Sequence, residues 1–171
     1  MALDAFKAAV LVFVAAILQV SVLNAASILG GVPDLVLVTL AAVALLRGSI
    51  YGAAAGFIAG LVVDTATLST LGVTSLLLTL AGYWIGRYGE TTGRDRAHAP
   101  VVSVAVVTFL YAIGALALRF MIGEHTSAAA VFEALAPGML LNALLAVPVY
   151  ALCRRLLGQR DADRVREVEF G

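Results

Sequence analysis

Long apolar runs fill most of the chain, and short clusters of glycine, proline or charge divide them. The runs predict six helices, at residues 5–29, 33–46, 49–63, 73–85, 100–122 and 131–157. A bilayer core asks for about 20 apolar residues in a helix. The first, fifth and sixth runs meet that length, whereas the second and third have none to spare. The fourth continues into Gly86 and Arg87. In the first run, Gln19, Ser21, Asn24 and Ser27 put polar groups on the far half, where they are expected to face protein, and Gly30–Gly31 breaks the helix. That run follows a single basic residue, Lys7, and is too long for a cleaved leader, so it reads as a span. Pro137–Gly138 and Pro148 are expected to interrupt the sixth run, since proline removes a helical hydrogen bond. The expectation is an all-α integral membrane protein: a six-helix transmembrane domain over residues 1–157, then a charged cytoplasmic tail over 158–171.

Residues 33–64 form the most patterned stretch. Pro33 suits a first helical position, and Asp34 suits the positive end of the helix dipole. Arg47 and Gly48 make a turn, and Gly48, Gly52, Gly56 and Gly60 then recur at every fourth residue. Each glycine is about 1 kcal/mol worse than alanine inside a helix, so the ladder implies that another backbone comes close. Gly82 and Gly86 repeat the spacing further on. Whether the neighbour is part of this chain or a partner's helix is left open by spacing alone.

Composition agrees with a membrane setting: 62% of residues are hydrophobic, 13% are charged, and the mean hydropathy is +1.02. Soluble domains carry about 25% charged residues. One cysteine, Cys153, allows no internal disulfide and no thiolate metal cluster. The formal net charge is zero, but its placement is uneven. With both termini in the cytoplasm, Lys7, Arg47, Arg87, Arg94, Arg96, Arg154, Arg155, Arg160, Arg164 and Arg166 lie inside and Arg119 alone lies outside. Tyr51, Trp84, Tyr88 and Tyr150 fall near the same inner boundary, as an aromatic belt should.

No catalytic constellation emerges. His98 and His125 fall on opposite sides in this topology, and no nucleotide, zinc-protease or nucleophile-elbow pattern occurs. The chain is therefore expected to be no enzyme and to hold neither cofactor nor metal, and nothing in it points to nucleic acid. The membrane-embedded polar residues are the informative ones: Asp34, Arg47, Asp64, Arg119 and Asn142. Asp64 closes its helix at the end that disfavours an anion, so it needs a compensating partner or water. Arg119 is the basic side chain on that side, making Asp64–Arg119 or Asp34–Arg119 a candidate structural pair; snorkelling of each charge to the interface is the alternative. Asn142 can bond across helices or face a polar cavity. Arg154 and Arg155 fit among anionic headgroups at the cytoplasmic face, and Cys153 reads as a small inert hydrophobe.

Taken together, LQVSVL, GGVPDLVLVTLAAVALLRG, GAAAGFIAGLVVD, a loop ending in LG, and LAGYWIGR resemble the rod shape-determining MreD family. The resemblance covers roughly residues 15–90 and extends more weakly to NALLAVPVYALCRRL. It places Pro33, Asp34, Arg47, Gly48, Gly52, Gly56, Gly60, Asp64, Leu71, Gly72, Gly82, Tyr83, Gly86 and Arg87 at the family's recurrent positions. The resemblance implies a six-helix inner-membrane protein without catalytic activity, whose fold is similar to the S components of energy-coupling-factor transporters. It also implies action with MreC, RodA, the elongation penicillin-binding protein and MreB in bacterial cell-wall elongation. Two functions follow as expectations. One is a scaffold or regulator that binds a single-pass MreC-like partner through its glycine-rich faces; the other is an S-component-like receptor for a vitamin-sized molecule.

Overall fold

A computed structural model describes residues 2–21, 31–68, 70–92, 99–123 and 127–157. Among them are six helices: α1 (Ala2–Ser21), α2 (Leu35–Arg47), α3 (Ser49–Thr67), α4 (Val73–Thr92), α5 (Ala99–Ile122) and α6 (Ala128–Leu157). Among the described residues, three stretches are long and apolar enough to cross a membrane, namely Ser49–Thr67, Pro100–Ile122 and Val131–Leu157; Phe6–Ser21 and Leu35–Arg47 are shorter apolar helices.

The bundle is built around α2, which touches every other helix. From Val36 to Arg47 each of its residues is buried. The cause lies in the sequence LVLVTLAAVALLR, which offers no polar stripe to turn outward, and a helix apolar all round belongs in a core. Its 13 residues make it about 20 Å long at 1.5 Å per residue. The flanking helices show the opposite habit, with Phe57, Leu110 and Leu144 among many large apolar side chains left exposed on the perimeter. That is the arrangement expected where lipid takes the place of water.

The closest packing joins α3 to α4, antiparallel. A Cβ added at Gly52, Gly56, Gly60, Gly82 or Gly86 would lie within 3.0 Å of the facing helix's backbone. Gly52 opposes Gly82, Gly56 opposes Leu78, Gly60 opposes Ser75, and Gly86 opposes Gly48 and Ser49. The ladder is thus filled from within the chain. This corrects the expectation that the glycine-rich faces of residues 48–60 and 82–86 offer a surface to a partner: each face covers the other. Gly48 has a second duty. Its φ of 96° lets the chain turn directly from α2 into α3, a backbone region glycine enters without steric cost.

A second correction concerns α6, which runs unbroken from Ala128 to Leu157 with Pro137 and Pro148 inside it. Proline removes one hydrogen bond, but a long helix packed along a bundle keeps the rest. The backbone beside Pro137 lies close to the segment before α2, for Gly31 passes against the backbone of Pro137 and Gly138. Asn24, Ser27, His98, His125 and the tail lie outside the described residues.

Candidate functional site

Asp34 and its neighbours form the polar centre of the molecule. Asp34 is the N-cap of α2, its carboxylate accepting from the Leu37 N–H at 2.9 Å. The N–H of Asp34 itself donates to Asn142 Oδ1 at 2.7 Å. Asn142 Nδ2 donates to Thr108 Oγ1 at 3.1 Å, and that hydroxyl in turn donates to the Val104 carbonyl at 2.7 Å. From α1, Gln19 Nε2 donates to the Pro33 carbonyl at 3.0 Å while its Oε1 accepts from the Leu35 N–H at 2.7 Å. Four helices thereby meet at the start of the short one. The reason is physical: the first N–H groups of a helix have no partner within it, and burial makes an unmet donor costly.

At its other end α2 is tied down by Arg47. The guanidinium Nη2 donates to the Leu157 carbonyl at the close of α6, where helical carbonyls lack partners of their own. A cation in the last turn also suits the negative end of the dipole. Arg47 is 7% exposed, so this turn residue is held inside the protein.

Asp64 and Glu90 make a reciprocal pair of caps. Asp64, fully buried, accepts from the Gly72 N–H at 2.8 Å, Thr74 N–H at 3.3 Å and Ser75 N–H at 3.4 Å. The wrong end of α3 for an anion is therefore the right end of α4, whose first amides supply the compensation for which Arg119 was one candidate. At the opposite end of the same pair, Glu90 accepts from the Ser49 N–H at 2.8 Å and the Ser49 hydroxyl at 3.1 Å, capping α3. The Ser49 amide holds the Glu90 carboxyl below its ordinary range, helped by the Ser49 hydroxyl and Arg87. Gln19, Ser49, Glu90 and Thr108 were missed as site residues by sequence reasoning. A carboxylate at the closing end of one glycine-lined helix, with a polar start to the next, is the signal that could have found the two caps.

Arg119 sits elsewhere. With Asp34, Thr74 and Tyr111 it lines a cavity of about 280 Å³ whose apolar wall includes Val36 and Leu78. Among the described residues no group of three or more His, Cys, Asp or Glu side chains is placed to hold a metal ion. The arrangement joins helix ends and lines a polar cavity.

Comparison with known proteins assigns the chain. Over 90 residues, 52% of its length, it is 31% identical to the cell shape-determining protein MreD of Streptococcus pneumoniae (strain ATCC BAA-255 / R6). The match covers 54% of that protein, so the chain spans about half the length of this curated relative. No solved structure matches. The family model described as rod shape-determining protein MreD matches residues 2–159, which include both reciprocal caps and all six helices up to Leu157, and the chain belongs to the MreD family.

Proposed function

We propose that the chain is a non-catalytic membrane subunit of the bacterial cell-elongation machinery, scaffolding or regulating peptidoglycan synthesis and so cell shape. The observation that carries this reading is the family match over residues 2–159. The structure supports it in one respect: the Asp34 N–H, Arg47, Asp64 and Asn142 bind helices to one another. The partner is a single-pass MreC-like protein, with RodA, the elongation penicillin-binding protein and MreB in the wider assembly. Because the glycine ladder is filled internally, such a partner meets the apolar perimeter instead. The orientation proposed is both termini cytoplasmic, six spans, with Arg154 and Arg155 against anionic headgroups. The S-component-like vitamin receptor is set aside, since neither the family match nor the named relative carries it.

Depletion in a rod-shaped host tests the proposal. Cells should round up or misplace wall synthesis, and affinity purification of the chain should recover the MreC-like protein. Unchanged shape on full depletion, with no such protein recovered, overturns it.

A further inference from the structure

We propose that the cavity beyond the start of α2 binds a zwitterionic group, one carrying a primary ammonium and an acidic oxyanion. The proposal is independent of any role in cell shape. Its origin is the shortness of α2. About 20 Å of helix falls some 10 Å short of a 30 Å bilayer core, while α5, with 24 residues, runs past it. Asp34, at the start of α2, lines the cavity of about 280 Å³. A cavity of roughly 150 Å³ holds benzene, so this one admits a headgroup or an amino acid.

The lining decides the chemistry. Asp34, at the start of α2, and Arg119, on α5, both line this cavity and give it walls of opposite charge. An anion alone would leave the Asp34 carboxylate opposed, and a cation alone would leave Arg119 opposed. A ligand with both charges satisfies the two walls at once, Asp34 accepting from its ammonium and Arg119 donating to its oxyanion in charge-assisted bonds. Tyr111 and Thr74 add hydroxyls, and Val36 and Leu78 give the carbon backbone of the ligand an apolar wall. The same chemistry occurs in an ethanolamine phospholipid headgroup and in a free amino zwitterion.

The experiment uses the full chain in nanodiscs of phosphatidylethanolamine or phosphatidylglycerol, with retained lipid read by native mass spectrometry. In parallel, O-phosphoethanolamine is titrated against the melting temperature in detergent. Asp34→Asn keeps a competent helix cap while removing the charge, and Arg119→Gln removes the other charge from a largely exposed position. Preferential retention of phosphatidylethanolamine, reduced about tenfold by either variant, supports the proposal with lipid as the source. A melting rise with O-phosphoethanolamine that both variants abolish, without lipid preference, supports it with a soluble source. If the wild-type chain shows neither effect, or if both variants respond as the wild type does, the proposal is overturned.

Discussion

Asp64→Ala leaves the Gly72, Thr74 and Ser75 amides without the acceptor they share. The expected loss is roughly 2 to 4 kcal/mol, more than an exposed cap because the carboxylate is fully buried and several donors go unmet together. Reversible unfolding in detergent micelles measures it. Arg119→Ala should change stability by no more than about 0.5 kcal/mol, and the Asp64–Arg119 double-mutant cycle should be additive within about 0.5 kcal/mol. Coupling beyond that would restore the ion pair as the compensating interaction. Glu90 offers a pH readout at the other end of the pair. Its folded pKa lies below the ordinary value of 4.5, so its contribution is fully present above 4.5 and disappears as pH falls through the lower folded value. The wild-type chain should therefore lose more stability than Glu90→Gln in that acid window, and parallel pH curves for the two would remove the cap from the account.

Between helices, the decisive quantity is the separation of α3 from α4. Gly52→Leu and Gly56→Leu must push a side chain into the backbones of Gly82 and Leu78, whereas Phe57→Leu alters an exposed position on the same helix. Each glycine substitution should destabilise by about 3 kcal/mol or more, because overpacking of a close contact cannot relax by rotamer changes alone. Phe57→Leu should stay within about 0.5 kcal/mol, and equal melting temperatures for all three would mean that the ladder is not a contact surface. The spacing of Gly48, Gly52, Gly56 and Gly60 was enough to read a close approach from the sequence. It could not name the neighbour, because a glycine records only how near a backbone comes. Asp64 was misjudged for a related reason: the dipole argument considered its own helix and not the antiparallel one beside it. The helices themselves were legible, since apolar runs between glycine and proline breaks leave little choice of conformation. Pro137 and Pro148 misled because the cost of a lost hydrogen bond is local, while the packing that keeps α6 continuous extends along its length.

For the whole molecule, the orientation can be tested with single cysteines. Cys153 is 1% exposed, so its silence toward reagents says nothing of sidedness and it should first be replaced by alanine. In that background, Ser127→Cys should react with a membrane-impermeant maleimide in intact cells, and Thr91→Cys only after permeabilisation. The reverse pattern overturns the proposed topology. The central place of α2 was only half legible: its lack of any polar stripe shows burial, but the bonds from Gln19, Asn142 and Leu157 join residues far apart in the chain and leave no local pattern. Those same long-range bonds set an order of assembly. α2 is synthesised early, yet the groups that receive Asp34 and Arg47 belong to α6, 108 and 110 residues further along the chain. During synthesis the future core must wait in contact with lipid or translocation machinery until its final wall arrives. A chain stopped at residue 127 should be inserted but cleared rapidly by membrane proteases, with a half-life far below that of the full chain in a pulse-chase. Completion of α6 thus serves as a built-in check that both ends of α2 have received their partners.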